Sequence, residues 1–305
     1  MKSKIATSLL LLLVLTGFRP PQKNATDKNP LTLDKPLSSD HSLLWQISGN
    51  GLSKPSYLYG TIHMISRDDY FLGKNVSKKL GKSEALVMEL NMEDMDIAAL
   101  TKLSLLDSGK SIRNYMSDTD YNALQTFMED SIGIKKFTFE MFYSKLKPFY
   151  LEQLIFFKYL GQEKESYEDN FKKMAEQKNI PVLGLETFEE QLRFLDEIPM
   201  ESQLKSIIKT IGNYSAEIHK MDELIKNYKT QNLPQLSKLF SEDDDLTLKT
   251  NLLDKRNDNW VPKLKSEMQS RACFIAVGAG HLGGENGLIN LLKKEGYSVE
   301  PISTN

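Results

Sequence analysis

The 305-residue sequence contains a single cysteine and almost no excess of charge. One thiol cannot form a disulfide within the chain, so a hydrophobic core has to stabilise the fold. Lysine and arginine total 39 against 41 aspartate and glutamate residues, which gives a net charge of -2. Nucleic-acid binding depends on a basic surface that this composition does not supply, so nucleic acid is not expected as a partner.

Long apolar runs are also scarce, and the one near the N-terminus is short. Residues 5–15 are mostly apolar, and the run is about half of the roughly 20 residues that a membrane-spanning helix needs. Lys2 and Lys4 precede this run and the small residues Thr16 and Gly17 follow it, which is the order of a secretory signal. We therefore expect a signal peptide over residues 1–19, a flexible leader over 20–40 and an exported protein, periplasmic or extracellular, without a stable membrane span. An uncleaved N-terminal anchor is the alternative.

The lone thiol, Cys273, lies inside an apolar run, eight positions before His281. A thiolate nucleophile needs a positive and partly exposed environment, which a buried strand does not provide. We expect Cys273 to be a small core residue. The alternative is a catalytic thiol that acts with the histidine.

Short apolar runs and helical periodicity alternate along the chain. Strand-like runs at 43–48 and 56–60 flank a glycine-rich turn and predict a hairpin. Further strands are predicted at 85–90, 180–185, 273–277 and 297–302, and helical segments at about 94–178 and 189–270. This pattern predicts one α/β domain over residues 41–305, with a mixed, mostly parallel central sheet. A large helical insertion separates the sheet-forming ends.

Four of these runs end in side chains that bind metals or transfer protons: His63, Glu89, Glu186 and His281. The two histidines close the same pattern, Gly-x-x-His, and the chain has only four histidines. Because parallel strands bring their carboxyl ends to one edge of the sheet, these residues are expected to converge there. The imidazole nitrogens should lie within about 3–5 Å of each other, with Glu89 or Glu186 as the nearest carboxylate. Two imidazoles and one or two carboxylates suit a divalent transition metal such as Mn, Co or Zn.

Each of these residues also has an ordinary explanation. A histidine at the end of a strand is often a hydrogen-bonded rim residue, and a glutamate there often caps the following helix. Within a metal site, Glu89 is either a ligand or the base that takes a proton from the metal-bound water. Glu186 is the other candidate for these roles. Histidine and glutamate side chains could also carry out acid–base hydrolysis without a metal.

Two further motifs have better explanations than the ligands they suggest. The segment from Gly278 to Gly283 fits the dinucleotide fingerprint Gly-x-Gly-x-x-Gly. It lies in the last βα unit, and too few residues follow it to complete a nucleotide-binding half. The acidic run at 242–245 lacks the glycine and the twelfth-position glutamate of a calcium loop, so it is expected to start a solvated helix.

Five segments taken together resemble a known family. They are Lys-Pro-Ser-Tyr-Leu-Tyr-Gly-Thr-Ile-His63, Ala-Leu-Val-Met-Glu89-Leu, Gly-Leu-Glu186-Thr, Arg256-Asn-Asp-Asn-Trp, and Val-Gly-Ala-Gly-His281-Leu-Gly-Gly. With these motifs the chain resembles the TraB/GumN family, which includes the TIKI proteins, over about residues 42–302.

The resemblance implies a mixed α/β fold and a metal-dependent protease. Animal TIKI members cut near the amino terminus of secreted signalling proteins at the membrane, and bacterial TraB-like members are associated with blocking a peptide pheromone. Carried over to this sequence, the two motif histidines are His63 and His281, the first acidic position is Glu89, and the Arg-Asn position is Arg256 and Asn257. Glu186 matches the Leu-Glu-Thr segment.

These expectations combine into an exported, metal-dependent hydrolase that acts on peptides or protein N-termini. The metal ligands are predicted to be His63, His281, Glu89 and Glu186, and the catalytic residues Glu89, Arg256 and Asn257. Arg256 would stabilise an oxyanion or hold a substrate carboxylate; a surface arginine on a helix is its alternative. Two other functions stay open: a non-catalytic protein that sequesters a peptide in the same cleft, and a metal-free His/Glu hydrolase.

Overall fold

A computed structural model describes residues 41–91, 97–241 and 253–305 of the chain. The predicted signal peptide over 1–19, the leader over 20–40 and the acidic run at 242–245 lie outside these residues. In the part that is described, no helix is long and apolar enough to cross a membrane.

The centre of the molecule is a six-stranded sheet. Its strands are β1 (Leu44–Ser48), β2 (Ser56–Thr61), β4 (Ala85–Leu90), β6 (Val182–Glu186), β7 (Cys273–Gly278) and β8 (Ser298–Ile302). They lie in the order β6-β4-β7-β2-β1-β8, and the pairs β6-β4, β4-β7 and β7-β2 are parallel. Strand β1 pairs antiparallel with both β2 and β8. The sheet is therefore mixed and mostly parallel, as the sequence predicts.

The hairpin of β1 and β2 forms at the glycine-rich turn. Gly49, Asn50 and Gly51 have φ angles of 79°, 46° and 81°, in the left-handed region that glycine and asparagine tolerate. Two short strands, β3 (Met64–Ser66) and β5 (Lys164–Ser166), form a separate antiparallel pair. Strand β5 lies within the segment that the sequence pattern predicts to be helical.

Twelve α-helices are found in the described ranges. They are α1 (Lys74–Leu80), α2 (Ile97–Ser104), α3 (Asp118–Phe127), α4 (Lys136–Met141), α5 (Pro148–Tyr159), α6 (Tyr167–Gln177), α7 (Phe188–Asp196), α8 (Met200–Gly212), α9 (Tyr214–Lys229), α10 (Leu233–Ser241), α11 (Lys255–Ser270) and α12 (Leu288–Lys294). Most of them belong to the insertion between the sheet-forming ends, as predicted.

Alternate residues of the central strands face two different cores. Tyr59, Met88 and Phe274 pack on one face against helices α1, α6, α9 and α10. Val87 and Ile275 pack on the other face against α11 and α12. This period-two division explains why the strand sequences are almost continuously apolar, because both faces of the sheet are covered.

The helical insertion has a core of its own. Tyr121 of α3, Phe139 of α4, Ile155 of α5 and Ile207 of α8 belong to one cluster and are at most 4% exposed. A buried side chain of this size contributes about 1.5–3 kcal/mol to folding. The insertion is thus stabilised internally as well as by its contact with the sheet.

Candidate active site

The four strands that end in the predicted site residues are neighbours in the sheet. Strands β6, β4, β7 and β2 are adjacent and mutually parallel, so their carboxyl ends lie along one edge. Glu186 is the last residue of β6 and Glu89 the penultimate residue of β4. His63 follows β2 by two residues, and His281 ends the 3-10 turn after β7. Topology alone therefore brings four distant segments together.

His63 has a backbone that only a few non-glycine residues adopt. Its φ is 59°, in the left-handed region, and its side chain is 3% exposed. The Thr61 hydroxyl accepts a hydrogen bond from the His63 backbone N–H at 3.3 Å. The ring nitrogen Nδ1 lies 2.9 Å from Oε1 of Glu168, which comes from α6. A carboxylate oxygen accepts, so the ring donates from Nδ1 and directs Nε2 the other way.

His281 is held by an amide instead of a carboxylate. Its Nδ1 lies 2.7 Å from Oδ1 of Asn257, and the Asn257 amide nitrogen donates to the carbonyl of Asn286 at 2.8 Å. On the opposite side of the ring, Nη1 of Arg256 lies 3.2 Å from Nε2. Arginine only donates, so Nε2 is the acceptor and the proton of the neutral ring is on Nδ1. Burial, with the charge of Arg256, lowers the pKa of His281 well below its usual value.

Glu89 stands between the two histidines. Its Oε1 accepts the backbone N–H of Gly278 at 2.8 Å, and it lies 3.7 Å from Nε2 of His63 and 3.6 Å from Nε2 of His281. Its other oxygen accepts from the guanidinium of Arg256. Burial works to raise the pKa of Glu89, but the nearby positive charge of Arg256 and the two imidazoles outweigh it and lower the pKa to about 2. The side chain is therefore an anion near neutral pH.

Arg256 connects the two acidic strand ends. It is fully buried on α11, and it donates from Nε to both oxygens of Glu186 at 3.1 and 3.2 Å. Glu186 also accepts from Trp260 at 3.2 Å and from Gln191 at 2.9 Å. Burial raises the pKa of Glu186, against the opposing effect of Arg256. The predicted alternative for Arg256, a surface position on a helix, is wrong, because the packing of α11 on the sheet buries it.

These residues form a single unit that we call the strand-end cluster, consisting of His63, Glu89, Glu186, Arg256 and His281. The structure brings His63 and His281 to the same carboxylate oxygen. It does not bring Glu186 to either histidine, since the side-chain hydrogen bonds of Glu186 go to Arg256, Trp260 and Gln191. Asn257 lies behind His281. The carboxylate nearest to His63 is Glu168, whereas the sequence pointed to Glu89 or Glu186.

The cluster is covered by two helices. A small cavity reaches His63 and Gly278, and its apolar wall consists of Leu224 and Tyr228 from α9 and of Leu236 and Phe240 from α10. The space open to a water is about 10 Å³, which is close to the minimum for one molecule. A group larger than a water does not fit in this cavity as the two helices stand.

Residues 43–301 match the TraB/PrgY/gumN family, which is nearly all of the described domain. The chain belongs to this family. No solved structure matches the chain.

Two kinds of relatives stand out. The protein named "Metalloprotease TIKI1" from Xenopus tropicalis is 23% identical over 96% of this chain and 67% of its own length, and the human protein of that name is 24% identical over 87% and 63%. The "Uncharacterized protein YbaP" of Escherichia coli K12 is 25% identical over 78% of this chain and 87% of its own length. The family therefore contains proteins named as metalloproteases. Identities of 23–25% to these relatives establish membership of the family and not a shared activity.

The metalloprotease names raise the question of whether the strand-end cluster suits a metal. Among the described residues, no three His, Cys, Asp or Glu side chains form a group ready to hold an ion. In the present arrangement Arg256 lies against the Nε2 lone pair of His281. The chemistry of the donors nevertheless fits a divalent cation. Nε2 of His63 is buried and has no hydrogen-bond partner in the part of the chain that the structure describes, and the lowered pKa values of His281 and Glu89 favour a neutral imidazole and an ionised carboxylate.

The sequence interpretation missed Glu168 altogether. It lies in the segment 94–178, for which the sequence pattern predicts helix and no site residue, yet it is 4% exposed and faces His63. The one available signal was Ser166, which caps α6 by accepting from the N–H of Asp169 and so places Glu168 in the first turn of that helix. Nothing in that signal shows which side of the turn is buried.

Cys273 is at the opposite end of β7 from His281. It is fully buried, and burial raises the pKa of its thiol to about 12. The thiol therefore remains protonated and is not suited to act as a nucleophile.

Proposed function

We propose that this protein is an exported hydrolase that cleaves peptide bonds at the strand-end cluster, with a divalent transition metal as its cofactor. The observation that supports this most strongly is the meeting of two imidazole Nε2 atoms at one ionised carboxylate. Nε2 of His63 and Nε2 of His281 lie 3.7 and 3.6 Å from Oε1 of Glu89, and both rings are oriented through Nδ1. Such oriented imidazoles are typical of metal-dependent hydrolases.

His63, Glu89 and His281 would hold the metal. When bound, the metal would polarise the carbonyl of the substrate and lower the pKa of a bound water. The low pKa of Glu89 favours a ligand over a general base, because an efficient base has a pKa near the working pH. Glu186, which the sequence nominated as a ligand, is assigned here to hold Arg256 through its hydrogen bonds.

Arg256 supplies a fixed positive charge beside the reacting centre. Its Nε and Nη atoms all donate to members of the cluster, so its position is set before any substrate arrives. A preorganised cation in a dry site stabilises negative charge that develops during the attack on a carbonyl. Asn257 acts through His281, whose tautomer it maintains.

A specific observation favours a second candidate, the metal-free His/Glu hydrolase. The guanidinium of Arg256 contacts Nε2 of His281, the atom that would bind a metal, and Glu168 contacts Nδ1 of His63. Burial works to lower the pKa of His63, but the carboxylates of Glu168 and Glu89 outweigh it, and the pKa is raised. A histidine backed by a carboxylate is a general base in its own right.

One comparison of variants separates these functions. The mature protein, His63→Ala and the control His219→Ala are measured for bound metal by elemental analysis and for cleavage of a peptide library. His219 lies on α9 with its side chain 81% exposed, so its loss leaves the cluster untouched. We expect metal and cleavage in the mature protein and in His219→Ala, and the loss of both in folded His63→Ala.

The other outcomes identify the alternatives. Cleavage by a metal-free protein that chelators do not inhibit would overturn the metal assignment and favour the second candidate. Tight binding of peptides without cleavage would identify a sequestering protein. Export is tested by the intact mass of the native protein, which should lack about the first 20 residues.

A further inference from the structure

The structure shows that His63 is held from outside its own motif. A non-glycine residue at a φ of 59° keeps that conformation only when its surroundings enforce it. Besides the Thr61 hydroxyl, the contacts that enforce it come from one short segment more than a hundred positions away, at the start of α6. Met64 pairs with Ser166 in the small sheet, and the N–H of Tyr167 donates to the carbonyl of His63 at 2.9 Å.

The next residue of the same segment, Glu168, reaches the ring itself. Its Oε1 lies 2.9 Å from Nδ1 of His63 and accepts the Thr61 hydroxyl at 2.8 Å. The same Thr61 oxygen accepts the backbone N–H of His63. Glu168 and Thr61 therefore restrain both the ring and the backbone of His63.

Helix formation does not explain why a carboxylate is buried here. Ser166 already caps α6, so Glu168 is not needed as a cap. Its second oxygen, Oε2, is buried and has no hydrogen-bond partner among the described residues. Burying a carboxylate with one oxygen unpaired costs free energy. The start of a helix by itself gives no reason for this cost.

We propose that Glu168 is a positioning residue: it keeps the proton of the neutral His63 ring on Nδ1 and thereby aims the Nε2 lone pair at the space beside Glu89. This proposal rests on the proposed function for its catalytic meaning, but the tautomer it assigns is a property of the folded protein with or without activity. A carboxylate that orients a reacting or metal-binding histidine in this way typically changes activity or metal affinity by about 10–100-fold.

The test uses Glu168→Ala, the conservative variant Glu168→Gln and the control Glu217→Ala in the full mature protein. Glu217 is an equally buried acid on α9 that pairs with Lys220 at 2.7 Å. Nitrogen-15 NMR of the four histidines, at a pH where the rings are neutral, reports which nitrogen has the proton. The His63 resonance is assigned by its absence in His63→Ala.

We expect an Nδ1-bound proton on His63 in the unmodified protein, in Glu217→Ala and in Glu168→Gln, which retains an acceptor oxygen. In Glu168→Ala the proton should move to Nε2, and metal affinity and hydrolysis should fall by about 10–100-fold, with partial recovery in Glu168→Gln. Thermal unfolding of each variant separates this from a general loss of structure.

An Nε2-bound proton in the unmodified protein would overturn the proposal, as would a His63 tautomer in folded Glu168→Ala that is unchanged. If the tautomer shifts as expected in a protein that neither binds metal nor hydrolyses peptides, the positioning role holds and the proposed function fails.

Discussion

The two Gly-x-x-His motifs present Nε2 to the same oxygen of Glu89, yet they differ in the backbone conformation of the histidine and in the partner of its Nδ1. His63 has a left-handed backbone and a carboxylate behind its ring, whereas His281 ends a 3-10 turn and has an amide behind its ring. The environments move their basicity in opposite directions: the pKa of His63 is raised and that of His281 is lowered.

The difference arises from residues far from both motifs. Glu168 is 105 positions from His63, and Asn257 is 24 positions from His281. A charged partner stabilises the imidazolium, while an amide partner fixes the tautomer without favouring a charge. The same short motif can therefore supply a basic histidine at one strand end and a neutral one at the next.

The largest effects should come from removing either ring. His63→Ala and His281→Ala are each expected to lower hydrolysis by about 10²–10⁴-fold. His63→Ala should also lose more stability than His281→Ala, with an expected loss of about 3–5 kcal/mol, because the buried Glu168 carboxylate loses the ring N–H and retains the Thr61 hydroxyl as donor. Chemical unfolding and activity are measured side by side. Equal losses of stability would contradict the distinction drawn between the two partners.

A methyl group added at Gly278 tests whether activity depends on the space between the His63 ring and Glu89. A Cβ on Gly278 would lie 2.8 Å from Nε2 of His63 and 3.3 Å from Oε1 of Glu89. Gly278→Ala should therefore lower activity by about 10²-fold through misplacement of the ring. Gly212→Ala is the matched control, since a Cβ there meets nothing within 4 Å. Full activity in Gly278→Ala would show that the Nε2 side of His63 is not the reacting side.

Exchanging the amide for a carboxylate should make His281 resemble His63. In Asn257→Asp a negative charge faces Nδ1, so the pKa of His281 should rise. The variant also loses the amide donor to the carbonyl of Asn286, at a cost of about 1–3 kcal/mol. NMR titration of the ring measures the first effect and thermal unfolding the second. An unaltered titration of His281 would argue that Arg256 and burial, rather than Asn257, determine its basicity.

The carboxylate shared by both histidines should make the fold sensitive to acid. The pKa of Glu89 is about 2 in the folded protein against an ordinary value of 4.5. A lowered pKa stabilises the folded state above pH 4.5, and this contribution is lost as the pH falls toward 2. The unfolding midpoint in urea should therefore fall over that range more steeply in the unmodified protein than in Glu89→Gln. Parallel curves for the two proteins would contradict the pKa shift.

The smallest effect is expected at the start of the strand that leads to His281. Cys273→Ser buries a hydroxyl in an apolar setting and should cost about 1–3 kcal/mol of stability, with nearly unchanged activity. Melting temperature and turnover are the measurements. If the variant keeps its melting temperature and loses turnover, the thiol of Cys273 and not the histidines is the reacting group.

Much of the scaffold was visible in the sequence. The strands Ala85–Leu90 and Cys273–Gly278 are short apolar runs with turn residues at their ends, and the hairpin of β1 and β2 follows its glycine-rich turn. Boundaries at other elements shifted by a few residues, as at Val182–Glu186. The short strand β5 was not predicted, because three half-buried residues have too little pattern to identify.

The sequence by itself determined which residues lie at or just beyond the carboxyl ends of the four strands, because apolar periodicity is local and parallel strands share one edge. Only the tertiary structure decided what each of those residues faces. Glu168 reaches His63, Glu186 faces Arg256 rather than a histidine, and α9 and α10 cover the cluster. Hydrogen bonds between distant segments depend on how helices pack on the sheet, and no local pattern encodes that arrangement.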